Sequence, residues 1–329
     1  MVSIRDVAKH AGVAISTVSK VVNNYPNVSD ETRKKVNNSI KELNFVPNTI
    51  ASALSSKKSG RVALLMNLNT KTQAIDEIGM QYLFGAINES CDLKLDVITV
   101  FFSMIRDKTL EEMEQYFRSQ SISGIIIYGM SKEDYKLHQL IESAQFHIVV
   151  VDAFYVNKKT SSVWIDQKRA QIEVAEKTIL ENGGKNILYI SGKKNGYVSE
   201  KRLQGMKELA TKDNLNLFVK CGSFSEHKAR EITFQYGEKY DIIVCASDLM
   251  AIGAMKALTE MDIFRPVCGF DGITLMGYVG KQMNTIRQNF SYISTEAVRE
   301  LHRLMNGENG RECILPYEMV RLKYEDIIR

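Results

Sequence analysis

The stretch from Ser3 to Asn23, SIRDVAKHAGVAISTVSKVVN, limits the possible fold of this chain more than any other. Its first apolar residues recur at helical spacing, and Ser3 followed three residues later by Asp6 is a variant of the capping box. Gly12 suits the sharp turn that ends this helix. A second helix is predicted to begin at Ser16 or Thr17. Its inward-facing residues would be Val18, Val21 and Val22, which leaves short polar and basic groups exposed.

A third helix is predicted to begin at Ser29, with Asp30 and Glu31 in its first turn, and to end at Pro47. The first 60 residues carry nine Lys or Arg against four Asp or Glu, whereas the rest of the chain has nearly equal numbers of the two signs. A basic module on a near-neutral body indicates a polyanionic partner for that module alone.

The segment IRDVAKHAGVAISTVSKVVN, followed by VSDETRKKV and LNFVPN, resembles the headpiece of the lactose-repressor/galactose-repressor family of bacterial transcription regulators. The resemblance implies a helix-turn-helix headpiece over residues 1–46 that binds double-stranded operator DNA. A bundle whose turn glycine is only structural is the alternative. Base contacts are implied for Ile15, Ser16 and Lys20, and phosphate contacts for Thr17, Ser19, Asn23 and Asn48. A lysine can donate to guanine O6 and N7, and an apolar side chain can contact the thymine methyl group.

Residues 47–60 are predicted to form a hinge helix and linker. The stretch NTIASALSS is too short for a stable isolated helix in water. By resemblance to the family, Leu54 would wedge between base steps in the minor groove, and Ala51 would allow close helix approach. A plain linker is the alternative.

From residue 61 onward, continuous β-branched runs alternate with amphipathic stretches, which favours parallel sheets covered on both faces. The length suits two α/β lobes, and ligands of this class bind beyond the carboxyl ends of the strands. The body resembles the family's core, which has the fold of periplasmic sugar-binding proteins. The predicted class is therefore α/β: an all-α headpiece plus a two-lobed, periplasmic-binding-protein-like core. Lobe 1 is placed at about 61–160 and 291–317, and lobe 2 at about 161–290 and 318–329.

Nine residues of this body are candidate effector ligands, either because they follow strands or because they match pocket positions of the family. Carboxylates and a guanidinium can bind pairs of sugar hydroxyls, and aromatic faces stack on sugar rings. The alternatives are helix capping for Asp152 and Asp248, a salt bridge for Arg202, and core packing for each aromatic residue. The candidates are Asp152, Trp164, Arg202, Phe224, Ser247, Asp248, Asp271, Gln288 and Phe290.

The sequence lacks a P-loop, a GxGxxG fingerprint, a GxSxG elbow and an HExxH motif, which argues against an enzyme. Five scattered cysteines without CxxC spacing predict free thiols in a reducing cytoplasm, and no metal site or cofactor is predicted. No signal peptide or membrane helix is predicted.

The predicted function is a cytoplasmic, homodimeric transcription regulator, a repressor of carbohydrate-utilisation genes. Its operator affinity would change when a sugar or sugar phosphate binds between the lobes. The absence of a leucine-repeat tail favours a dimer over a tetramer. Two rivals are a family member activated by a corepressor or partner protein, and a solute-binding protein.

Overall fold

The computed structural model describes residues 2–22, 25–45, 60–67, 77–279 and 282–321. The chain forms two compact units, Met1–Ser59 and Gly60–Arg329. The predicted hinge helix lies outside the described residues, and so do Asn23, Asn48, Ala51 and Leu54.

The first unit contains α1 (Ile4–Ala11), α2 (Ile15–Val22) and α3 (Asp30–Glu42). Its core is small and apolar: Val7, Ala8, Val18, Val21 and Val36.

A capping box begins α1. The Asp6 carboxylate accepts the amide of Ser3 at 2.8 Å and its hydroxyl at 2.7 Å, and these bonds lower the pKa of Asp6. Gly12 ends α1 with φ of 65°, a left-handed conformation that a residue with a Cβ rarely adopts. Two predicted bounds were wrong. Helix α2 starts at Ile15 rather than Ser16 or Thr17, and α3 ends at Glu42 rather than Pro47 because the chain turns left-handed at Asn44 (φ 48°).

The first lobe of the second unit is built on a six-stranded sheet in the order β11-β5-β4-β3-β1-β2, with every pair parallel. Its central strands are continuous apolar runs, as expected for a sheet buried on both faces. The strands are β1 (Arg61–Met66), β2 (Asp96–Phe101), β3 (Ile122–Tyr128), β4 (His147–Val151), β5 (Thr160–Ile165) and β11 (Glu312–Leu315). The helices are α4 (Glu77–Asp92), α5 (Leu110–Ser119), α6 (Tyr135–Glu142) and α11 (Phe290–Met305).

The second lobe is built on a four-stranded parallel sheet in the order β7-β6-β8-β9. A short antiparallel pair, β10 with β12, adjoins it through a bridge between Asp271 and Arg287. The strands are β6 (Asn186–Ser191), β7 (Asn216–Cys221), β8 (Ile242–Cys245), β9 (Val267–Cys268), β10 (Thr285–Arg287) and β12 (Glu318–Val320). The helices are α7 (Gln167–Asn182), α8 (Tyr197–Asp213), α9 (Glu226–Tyr236) and α10 (Asp248–Glu260).

The predicted lobe boundary near residue 160 was wrong. Strand β5 pairs with β4 on one side and β11 on the other, so it belongs to the first sheet and the chain crosses only after Ile165. The chain crosses again between β10 and α11 and between β11 and β12. The predicted α/β class with two sheet-based lobes is confirmed.

Helix α11 packs on the first sheet and on α4. The two helices approach closely at Gly85, where an added Cβ would lie 2.0 Å from the carbonyl oxygen of Ser291. Near the other end of α4, the guanidinium of Arg299 donates to Glu89 at 2.9 and 3.0 Å. Helices α4 and α11 are thereby held together along their length.

Candidate functional sites

Polar side chains from both lobes meet beyond the carboxyl ends of the strands. Asp152 follows β4, Gln167 begins α7 after β5, and Asp271 follows β9. Arg202 reaches this point from the second turn of α8, and Gln288 follows β10. We call these five residues the polar cluster.

Arg202 is the centre of the polar cluster and is only 3% exposed. Its guanidinium donates to Gln167 Oε1 at 2.8 Å, to Asp271 Oδ1 at 3.2 Å and to the carbonyl oxygen of Ala246. It also lies 3.5 Å from the centroid of the Phe270 ring. Arg202, one of the predicted effector residues, is thus a buried group whose partners lie just beyond the ends of several strands.

The other members complete the network across the lobes. The amide of Gln288 donates to Asp271 at 2.9 Å. The amide of Gln167 donates to Asp152 at 3.1 Å and to Gln288 Oε1 at 3.3 Å. Carboxylates, amides and one guanidinium are thus within a few ångströms of one another, and this set of groups can donate to and accept from vicinal hydroxyls.

Burial raises the pKa values of the carboxyl groups in and beside the polar cluster. For Asp271 the pKa rises to about 6, although the charge of Arg202 acts in the opposite direction. Burial also raises the pKa of Asp152, and again the charge of Arg202 opposes the shift. The pKa of each carboxyl group therefore depends on its burial and on the neighbouring charge of Arg202.

An aromatic wall from the first lobe adjoins Asp152. The Tyr82 hydroxyl donates to Asp152 Oδ2 at 3.1 Å, and its ring packs edge-on against Phe290 at 5.3 Å. Tyr82 and Phe290 are 5% and 4% exposed, and burial raises the pKa of Tyr82 well above its usual value. Phe290, one of the predicted effector residues, therefore lies next to the polar cluster.

Two other predicted aromatic residues lie near the carboxyl ends of strands, Phe224 after β7 and Trp164 within β5. Phe224 has φ of 60°, and its ring lies against Gly192, where an added Cβ would be 2.2 Å from Phe224 Cζ. Trp164 packs edge-on against Phe154 at 4.5 Å, and Phe154 in turn contacts Tyr197 of the second lobe. The indole N–H of Trp164 is buried and has no hydrogen-bond partner in the described part of the chain.

Ser247 and Asp248 are occupied by bonds within the protein. The Ser247 hydroxyl caps α10 by accepting the amide of Met250 at 3.3 Å. The Asp248 carboxylate accepts the Thr285 hydroxyl at 2.6 Å and the Ile273 amide at 2.9 Å, and burial raises its pKa to about 7. Helix capping was the predicted alternative for Asp248, but Ser247 performs it, while Asp248 holds the loop after β9.

A separate cavity of about 460 Å³ lies between α7, α10 and the starts of β9 and β10. Thr178, Val267 and Asn284 are among its lining residues. It opens at the amino-terminal ends of these strands, whereas the polar cluster lies beyond their carboxyl ends. Its Asn284 amide is already bonded to Thr178 and Glu181.

In the first unit, α2 presents the predicted reading side chains to solvent. Ile15, Ser16 and Lys20 are exposed, with Ile15 at 45%, and Thr17 and Ser19 are half-buried. Ile15 is exposed and does not belong to the apolar core formed by the described residues of this unit. The surface suits a helix that lies in the major groove.

Residues 3–48 match the family of bacterial regulatory proteins of the lacI type, and residues 177–321 match the periplasmic binding protein-like domain. The ribose operon repressor of Halalkalibacterium halodurans is 30% identical over 301 residues, which cover 88% of this chain and 86% of that protein. Catabolite control protein A of Staphylococcus aureus is 29% identical over 335 residues, which cover 97% of each chain. This chain belongs to the lacI family.

Two solved structures have the same fold. A lac repressor dimer bound to operator and the anti-inducer ONPF has a TM-score of 0.83 at 23% identity, covering 97% of this chain and 98% of that one. The transcriptional regulator CelR with cellobiose has a TM-score of 0.71 at 22% identity, covering 98% and 99%. As a member of this family, the chain is a DNA-binding transcription regulator, and the two relatives named above are regulators rather than enzymes.

Gln167 and Tyr82 of this lacI-family chain were not predicted as site residues from the sequence. Gln167 is fully buried and bonds to three of the other four cluster members, and its position as the first helical residue after a strand could have marked it. Tyr82 lies in the middle of an amphipathic helix, where its spacing indicates only core packing.

The residues that the structure describes contain neither a metal-binding group of side chains nor a membrane-spanning helix. His, Cys, Asp and Glu side chains form no group of three there that could hold a metal ion. None of the helices in those ranges is long and apolar enough to cross a membrane.

Proposed function

We propose that this lacI-family chain is a homodimeric repressor of carbohydrate-utilisation genes, and that a sugar-like effector binding at the polar cluster changes its operator affinity. The main support is the position of Arg202. This buried guanidinium bonds to a carboxylate of one lobe and is linked through Gln167 to a carboxylate of the other. A ligand there would replace bonds between the lobes with bonds to itself.

The chemistry of the polar cluster favours a polyhydroxyl ligand. Asp152 and Asp271 accept hydrogen bonds, the guanidinium donates, and the amides of Gln167 and Gln288 do both. Phe290 and Phe224 supply apolar faces of the kind that stack on sugar rings. Trp164, whose indole N–H has no described partner, is a further candidate donor.

Two exposed lysines, Lys193 and Lys194, lie in the loop between β6 and α8, at the same ends of the strands. A phosphorylated sugar would place its charge near such a loop. We therefore propose both neutral sugars and sugar phosphates as candidates.

For DNA, we propose that Ile15, Ser16 and Lys20 read bases and that Thr17 and Ser19 bind phosphates. Exposure of Ile15, Ser16 and Lys20 on α2 supports the base-reading part of this assignment. Family resemblance extends the proposal to residues outside the described ranges: phosphate contacts from Asn23 and Asn48, close hinge approach at Ala51, and a minor-groove wedge at Leu54.

The dimer is proposed to form through α4. Its outward face carries Met80, Phe84 and Ile87, which are 48%, 57% and 44% exposed and recur at i, i+4 and i+7. A continuous apolar stripe on a helix is a typical contact surface. We propose that the partner at this stripe is a second copy of the chain, since two headpieces are needed to read the two halves of a near-palindromic operator.

Selection of binding sequences from random duplex DNA tests the DNA part. The expected product is a near-palindrome bound with steep salt dependence. Replacing Lys20 with Met should change the preferred base at one position in each half-site. Replacing Lys41, which is exposed on α3, with Met is the matched control and should leave the preference unchanged. Failure of the wild-type protein to enrich any duplex would refute the proposal.

A melting-temperature screen with D-ribose, D-glucose, cellobiose and glucose 6-phosphate tests the effector part, because a ligand of the folded state raises Tm. The Asp271→Asn variant should lose the shift. Adding the active sugar to a protein–operator mixture then shows whether the sugar lowers or raises the affinity for the operator. Release of DNA supports induction of a repressor, and tighter binding would mean that the sugar is a corepressor.

A further inference from the structure

Helix α4 begins with a bond to the other lobe. The Glu77 carboxylate, in the first lobe, accepts the backbone amide of Thr274 at 3.1 and 3.0 Å through its two oxygens. It also accepts the Thr274 hydroxyl at 2.6 Å. One turn along α4, the Gln81 amide donates to Glu77 Oε1 at 3.0 Å and orients the carboxylate. Three bonds to one residue make this a specific contact between the lobes.

The loop that carries Thr274 is the same loop that carries the Asp271 carboxylate of the polar cluster. Asp271 accepts from Arg202 and Gln288, and the Ile273 amide donates to Asp248. Only two residues separate Asp271 from Thr274. A ligand that alters the bonds of Asp271 would therefore shift the residue that binds Glu77.

A second link joins α4 to the polar cluster from within the first lobe. The Tyr82 hydroxyl donates to Asp152 at 3.1 Å, and Tyr82 is 5% exposed. Helix α4 thus contacts the cluster region at two places, through Glu77 to the second lobe and through Tyr82 to the first.

The rest of α4 connects these contacts to the proposed dimer surface. Gly85 lies directly against the backbone of α11, and Glu89 is bonded to Arg299, so α4 and α11 move together. On its opposite face α4 carries the exposed apolar stripe.

We propose that Glu77 is a positioning residue that transmits the state of the polar cluster through α4 to the contact between subunits. This inference rests on the homodimer proposed above. When Thr274 is hydrogen-bonded to Glu77, the loop 271–274 fixes the orientation of the first turn of α4. When the loop shifts, α4 is released from the second lobe and the stripe changes its angle to the partner. This coupling depends only on the free-energy difference between the two arrangements of the lobes.

The contact is tested by hydrogen exchange on the full-length protein. Glu77→Ala and Thr274→Val should each raise exchange in residues 272–279 by about threefold or more, and the double variant should not exceed the larger single effect. Thr274→Ser, which keeps the hydroxyl, should behave like the wild type. Glu111→Ala, an exposed glutamate in the first turn of α5, is the matched control. Unchanged exchange in residues 272–279 of both variants would overturn the proposal.

Transmission is tested by a double-mutant cycle on the dimer dissociation constant, measured by analytical ultracentrifugation. Asp271→Asn perturbs the cluster without any ligand. It should change the dimer dissociation constant by about threefold or more in the wild-type background and have little effect when combined with Glu77→Ala. A purely structural role for Glu77 would give additive effects and would overturn the inference. In that case Glu77→Ala would still bind the selected operator, so the proposed function would stand. A wild-type chain that is monomeric would overturn both.

Discussion

Replacement of Arg202 with Met should destabilise the core strongly at alkaline pH and much less at acidic pH. Arg202 is 3% exposed, bonds to Gln167, Asp271 and the Ala246 carbonyl, and stacks on Phe270. Met preserves much of the apolar stem but removes the charge and the donors. Asp271 then remains largely buried without its cation.

The magnitude follows from the state of Asp271. Removing one partner of a buried ion pair costs about 3–5 kcal/mol while the other partner stays charged. The pKa of Asp271 is about 6 with Arg202 present, and loss of the guanidinium raises it further. At pH 5 the carboxyl group is therefore protonated in both proteins, and the remaining cost is the lost hydrogen bonds, about 1–2 kcal/mol. Because the native state holds this proton more tightly than the unfolded state, stability falls as pH rises, and it falls more steeply in the variant.

Urea unfolding at pH 5 and pH 8 measures this difference. Trp164 is the only tryptophan in the chain and lies in the second unit, so its fluorescence reports on the core. The Arg202→Met, Asp271→Asn double variant is the control, and its loss of stability at pH 8 should be smaller than the sum of the single losses. Equal destabilisation by Arg202→Met at the two pH values, or additive losses at pH 8, would refute the buried-charge argument.

Three further predictions concern other parts of the chain. Ser3→Ala removes the cap of α1 and should lower headpiece stability by about 1 kcal/mol in thermal melts; an unchanged melt would contradict the capping role. Glu300→Gln should cost about 2 kcal/mol at pH 7 in urea unfolding, because Glu300 is 3% exposed and accepts from Ser161, Arg303 and Arg311. Burial opposes the shift, but these bonds lower the pKa of Glu300, so the stabilisation should disappear as pH falls through that lowered pKa. Phe84→Lys should dissociate the dimer in sedimentation experiments, whereas the same change at Leu180, which is 80% exposed on α7, should not.

Local patterns were sufficient for most of the fold. The capping residues of α1 and the turn at Gly12 are properties of a few neighbouring residues, so the sequence alone locates them. The continuous apolar strands likewise indicated parallel sheets buried on both faces. The prediction of a lobe boundary near residue 160 was wrong because strand pairing is not a local property. Nothing within Thr160–Ile165 shows that this strand pairs with β4 and β11.

The candidate site was only partly predictable for the same reason. Arg202, Asp271, Gln288 and Asp152 were named in advance, and the structure brings them within hydrogen-bonding reach of one another through Gln167. Asp248 was also named, but its carboxylate is occupied by Thr285 and Ile273, which are distant in sequence.

Local sequence signals specify the two kinds of unit in this protein, a basic helical headpiece followed by a larger α/β body, because caps, turns and hydrophobic periodicity are short-range properties. Which side chains share a site depends instead on the folded arrangement of the whole chain. The bonds from Tyr82 to Asp152 and from Glu77 to Thr274 join residues 70 and 197 positions apart. Contacts of that range depend on the order of the strands and the closure of the lobes, which no local pattern records.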